Sequence, residues 1–75
     1  MSLQAIMEEV KEFAVECVWK QYEECINVPD SVIIAYLRSL MNEKDFEIVL
    51  MYKDLMVKVF RETAKEELDF LNDRP

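Results

Sequence analysis

Glycine and histidine are both absent from these 75 residues. Without glycine there is no backbone loop of the kind that cradles phosphates, so nucleotide chemistry loses its usual seat. Without histidine there is no Cys–His nucleophile, no Glu-x-x-His motif for a di-iron bundle, and no zinc or haem signature. No cofactor or metal is expected. Cysteine occurs twice, too rarely for a disulfide framework in so short a chain. On one continuous helix Cys17 and Cys25 would stand about 12 Å apart along the axis, beyond bridging distance. They read as buried free thiols in a reducing, intracellular compartment, with cytoplasm and nucleus equally open. Long apolar runs are missing too, since nothing approaches the roughly 20 residues that span a bilayer. Glu8 and Glu9 interrupt the first apolar stretch, and no positive segment precedes it as a secretory leader requires.

Positive charge is the scarcer sign. Sixteen acidic residues stand against nine basic ones, a net charge of -7 and a pI near 4.5. Nucleic acid and anionic membranes would repel such a chain, which leaves another protein as the expected partner. The imbalance is greatest at the start, where residues 1–26 carry six acids and two bases. What is present in quantity is apolar: 52% hydrophobic residues beside 33% charged. That balance describes a globular domain, neither a disordered tail nor a membrane protein.

Strong punctuation falls at Asn27-Val28-Pro29-Asp30-Ser31, where proline disfavours helix before it and Asp30 or Ser31 can cap the helix after it. A weaker break lies at Asn42-Glu43-Lys44-Asp45, with Asn42 or Asp45 as the next cap. These breaks predict one helical domain over 1–75, all-α, with helix 1 at about 3–26, helix 2 at about 31–41 and helix 3 at about 45–71. A domain cut from a longer protein would read the same way, and Met1-Ser2-Leu3 is either a native start or an expression remnant.

Helix 1 carries an apolar stripe of Leu3, Ile6, Met7, Val10, Phe13, Ala14, Cys17, Val18 and Cys25 at helical period. A second patch, Val15, Trp19, Tyr22 and Ile26, occupies only its latter half. Helix 2 is short and almost wholly apolar, as expected of an element sandwiched between others. Helix 3 repeats the one-sided stripe in Phe46, Val49, Leu50, Val57, Phe60, Ala64, Leu68 and Leu71, interrupted by Lys53, whose stem can lie along the seam. Its second face, Ile48, Met51, Tyr52, Leu55 and Val59, exists only in the first half.

The expected lengths are about 36, 17 and 40 Å. Helix 2 is too short to cover both long helices, so the ends of their stripes point outward to a second chain. Two copies would then complete a larger bundle by dimerisation. The residues expected at that interface are Leu3, Ile6, Met7, Val10, Ala64, Leu68 and Leu71, with Trp19 as an aromatic anchor. The function implied is non-catalytic: an interaction module that pairs with itself or docks the amphipathic helix of another protein. The alternative is a small acidic regulator that covers a basic protein surface, as nucleic-acid mimics do. Its carriers would be Glu8, Glu9, Glu12, Glu16, Glu23 and Glu24. The ladder Glu8, Glu12 and Glu16 resembles a ligand set, but ion pairing with Lys11 and Lys20 on a solvated face accounts for it. Met7, Met41, Met51 and Met56 fill core more often than they line an adaptable groove.

Overall fold

The computed structural model describes residues 2–21 and 27–73. Among these the fold is all-helical: α1 (Leu3–Gln21), α2 (Asp30–Leu40), α3 (Glu43–Met51) and α4 (Lys53–Asn72). No strand occurs among the described residues. The expected second half of helix 1 beyond Gln21, with Tyr22, Glu23, Glu24, Cys25 and Ile26, lies outside them.

Each helix start has a local cause. Before α1, Ser2 accepts the Ala5 N–H on its hydroxyl at 3.2 Å, which satisfies one of the donors a helix N-terminus leaves open. Before α3, Asn42 accepts the Asp45 N–H at 2.9 Å, and its own amide donates to the Asp45 carboxylate at 3.2 Å. This reciprocal arrangement uses both residues singled out as caps. The start of α2 departs from expectation. Pro29 is its N-cap, with no side-chain capping bond, and Asp30 is the first helical residue. Proline suits this boundary because it has no N–H to lose, and its carbonyl accepts from Val32 at 3.0 Å. Asp30 turns instead to Arg61 of α4, whose guanidinium donates to its carboxylate at 2.6 Å and to the Val28 carbonyl at 2.8 Å.

Helix 3 of the sequence reading is two helices. The chain bends at Tyr52 (φ -117°, ψ 39°), which closes α3 and opens α4. Neither glycine nor proline stands there, so packing sets the bend: α3 and α4 both lie against α1. Val49 is fully buried on one side of the break, and Met56 on the other. Lys53, taken as a snorkelling gap in a continuous stripe, is the exposed first residue of the new helix.

Two contacts orient α1. Glu9 senses the charge of Asp45 on α3, and the Trp19 indole donates to Glu67 near the end of α4 at 3.3 Å. Helix α1 therefore runs in the same direction as the α3–α4 pair. Helix α2 runs the opposite way, its start tied to Arg61 and its end placing Arg38 over the Phe46 ring, 5.9 Å from the centroid. Tyr36 meets Phe60 edge-on at 6.1 Å and lies close enough to Glu16 of α1 that burial, then that charge, raises its phenol pKa.

Helix α2 is not what covers the long helices. The principal packing is α1 directly on α4, so the long helices cover each other rather than depending on the short one. Ile6, Val10 and Ala64 are fully buried in the chain's own core, and Leu68 nearly so. Leu3, Met7 and Leu71 are partly buried against it. The sandwiched helix 2 is also corrected. Only Ile33 and Leu37 are buried, while Val32 and Leu40 are open to solvent.

The cysteines require a further correction. Cys17 is buried as expected, but it is disulfide-bonded and not a free thiol. Cys25, the chain's other cysteine, lies outside the described residues.

This packing predicts a steep contrast between two large apolar side chains. Phe60→Ala, in the core, should lower stability by about 3–5 kcal/mol. Met51→Ala, on the surface, should stay within about 0.5 kcal/mol. Urea denaturation of both variants is the measurement, and equal losses would contradict the assignment of core and surface.

Candidate functional site

Most of the predicted interface lies inside the core, and the exposed apolar surface lies elsewhere. Single exposed apolar residues are ordinary, and it is clustering that carries information. Four of the large ones fall within residues 50–55: Leu50, Met51, Tyr52 and Leu55. Met51 is the most open, at 74%. They sit at the α3–α4 bend, and the bend explains their exposure. A helix that stops at Met51 and restarts at Lys53 turns Phe46 and Val49 inward on one segment, and Met56, Val57 and Phe60 inward on the next. The residues between them are left at the outside of the corner.

Beside this corner lies a groove of about 440 Å³ lined by Arg38, Met41, Glu43, Phe46, Glu47 and Leu50. Arg38 forms the α2 wall, held over Phe46 by the cation–π contact. On the far side of Leu50 a second hollow is lined by Leu50, Met51, Tyr52, Lys53, Asp54 and Leu55. Leu50 belongs to both, so the two form one surface running from the end of α2 across the corner to the start of α4. Its lining is mixed, with Met41, Phe46, Leu50, Met51 and Leu55 set among charged residues of both signs.

Of the sequence-predicted interface residues, Trp19 alone is well exposed, at 57%. Its indole N–H is satisfied by Glu67, which places it beside the last turns of α4, apart from the corner. The structure thus separates Trp19 from the other seven, and it does not bring those seven to the surface. The corner was missed although Met51, Tyr52 and Leu55 stood in the sequence as part of a second face on helix 3; Leu50, expected on the main stripe, is half exposed instead, and Val59, expected on the second face, is buried. The signal that could have found it is the coincidence of that face with the Lys53 interruption.

The acidic face is placed as expected in part, and the expected Glu16–Lys20 pair is not among the ion pairs of the described residues. Glu8, Glu12 and Glu16 are exposed along α1, and Lys11 pairs with Glu8 at 3.7 Å. Glu9 behaves differently. It is only partly exposed, and its Oε2 is sealed from solvent with no hydrogen-bond partner. Its carboxyl is pushed above the ordinary range, first by burial, then by the charges of Asp45 and Glu12. Asp45 itself is buried at the start of α3. Among the described residues no three His, Cys, Asp or Glu side chains are grouped to hold a metal ion. No described helix is long and apolar enough to cross a membrane.

Compared with known proteins, the chain matches no family model, no curated protein and no solved structure.

The Glu9 environment yields a signed pH dependence. A carboxyl whose folded-state pKa lies above its unfolded value binds protons more tightly when folded. It therefore opposes folding when ionised, and that penalty is relieved as pH falls through the folded-state value. Glu9→Gln should raise the melting temperature at neutral pH. The gain should shrink on acidification and vanish below the ordinary carboxylate range, where wild-type Glu9 is protonated in both states. Thermal melts of the two proteins across that window are the test, and a gain independent of pH would refute this account.

Proposed function

We propose that the chain is a non-catalytic interaction module, and that its contact surface is the α3–α4 corner rather than the stripe ends. The observation that supports this reading is the exposed cluster Leu50, Met51, Tyr52 and Leu55, continuous with the groove under Arg38. Large apolar side chains gathered on a mixed-charge rim have the composition of an interface centre, with the charged flanks serving as its polar margin. Met51 and Met41 supply unbranched, adaptable contact area there. A second copy of the chain is the first occupant to consider and an amphipathic helix of another protein the next. The disulfide at Cys17 withdraws the ground on which a reducing compartment was read, because such bonds are rare where thiols are kept reduced.

A second reading, the acidic regulator, draws support from the exposed row Glu8, Glu12 and Glu16 on α1. Salt separates the two. Binding through the apolar corner should persist at high ionic strength, while binding through the glutamates should weaken steeply.

For the favoured reading the direct test is sedimentation equilibrium at micromolar concentration, with circular dichroism to monitor folding. Wild type should self-associate. Leu50→Glu should be a folded monomer, since the new carboxylate is accommodated in the free chain but would be buried unpaired in the pair. Leu68→Glu, by contrast, should unfold the chain, because Leu68 is core. A wild type that stays monomeric at high concentration would rule out self-association.

A further inference from the structure

Helix α3 is lightly anchored, and its contact with α1 sets two carboxyl groups against each other. It gives the core only Phe46 and Val49, with Asp45 buried beside them, whereas α4 gives Met56, Val57, Val59, Phe60, Ala64 and Leu68. Elements with few buried apolar contacts open at the lowest cost. Across the contact with α1, Asp45 acts on Glu9, whose Oε2 is sealed from solvent without a hydrogen-bond partner. The charges that act on Glu9 are those of Asp45, from α3, and Glu12, from its own helix. On α2 and α4, Arg38 lies over Phe46, Arg61 pairs with Asp30 and Lys58 pairs with Glu62. An ionised Glu9 is therefore set against like charge.

The bend at Tyr52 can act as a hinge because little separates it from helix. Helical hydrogen bonds run up to it and resume past it. The Tyr52 N–H donates to the Ile48 carbonyl at 3.1 Å, and the Met56 N–H donates to the Tyr52 carbonyl at 2.9 Å. The N–H groups between, those of Lys53, Asp54 and Leu55, open α4 as the donors of a helix start. In a straight helix they would meet the carbonyls of Val49, Leu50 and Met51. The apolar period also continues through the break, from Phe46 and Val49 to Val57 and Phe60. One helix over 43–72 is thus a conformation the local sequence supports, and packing against α1 opposes it.

We propose that α3 is a hinged arm under proton control: it lies against α1 while Glu9 holds a proton, and ionisation of Glu9 beside Asp45 shifts the population toward a form swung about Tyr52 into line with α4. The swing exposes Phe46 and Val49, completes the hydrogen bonds of Lys53, Asp54 and Leu55, and separates the two carboxylates. Its direction in pH follows from Glu9. Burial, then the charges of Asp45 and Glu12, push that carboxyl above the ordinary range while α3 is docked. Once α3 leaves, the carboxyl returns toward its ordinary range. Acid therefore favours the docked form, and neutral pH favours the straight one. None of this depends on the corner being a contact surface.

Hydrogen exchange followed by NMR tests the arm, from neutral pH down through the ordinary carboxylate range, with rates corrected for their intrinsic pH dependence. In the wild type the amides of Lys53, Asp54 and Leu55 should be severalfold better protected at neutral pH than at the acid end. Val49 and Leu50, whose helical bonds lie within α3, should stay protected throughout. In Glu9→Gln, with folding checked by circular dichroism, protection of the first three amides should be low and independent of pH. Wild-type protection that does not change with pH would overturn the proposal. Loss of protection at Val49 and Leu50 as pH rises would overturn it too, since α3 would then melt rather than swing. A rise that persists in Glu9→Gln would remove the carboxyl pair as the trigger and overturn proton control.

Discussion

The α1–α4 seam is the contact from which the remaining structure follows. Both helices present an unbroken apolar stripe, and the two stripes meet in one core with Ile6, Val10, Val18 and Phe60 almost or completely buried. Ala14 and Ala64 are fully buried as well, and side chains that small let helical backbones approach closely. Once α1 and α4 lie side by side and run the same way, the chain must return between them. Helix α2 is that return, and it needs only enough apolar surface to seal one side. This is why Ile33 and Leu37 are buried while Val32 and Leu40 remain at the surface.

Lack of glycine shapes the connections. Helices commonly end in a left-handed residue, a conformation glycine adopts without penalty. Here Met41 caps the end of α2 and Asn42 the start of α3, both in extended conformation (ψ 153° and 165°). An extended pair turns the chain without a left-handed residue. At Tyr52 even this is absent, and the chain bends within a single residue. The exposed corner is thus tied to the same packing as the core: to keep both α3 and α4 against α1, the chain bends, and the bend presents its outer side chains to solvent.

The helices were legible because period and punctuation agreed. Pro29 and Asn42 mark real boundaries. Where the reading failed, the missing information was tertiary. A stripe such as Ile6, Val10 and Ala64 announces that something covers it but not what does. The shortness of helix 2 was taken to leave the stripe ends bare, when each long helix was available to the other. Lys53 shows the same limit more locally. An interrupted stripe fits a snorkelling lysine in one helix and equally the first residue of a second helix, and only packing against α1 separates the two. The disulfide at Cys17 was not legible, because the presence of two cysteines in a chain does not settle whether either is bridged.

The proposed pairing at the corner has to tolerate the charge that each copy carries. Each copy carries -7, and bare Coulomb repulsion would oppose pairing at long range. The screening length at physiological ionic strength is about 8 Å, so repulsion between distant acidic faces is largely quenched while contacts across an interface are not. The exposed glutamates Glu8, Glu12 and Glu16 line a hollow on α1 that shares no residue with the groove and hollow meeting at Leu50. At the corner itself Arg38 and Lys53 accompany Glu43, Glu47 and Asp54, a nearly balanced set. The acidic surplus and the apolar corner are therefore separate features of the surface. The charge that would repel a like-charged partner and the apolar patch that would meet one thus lie on different parts of the surface, so neither need be weakened for the other.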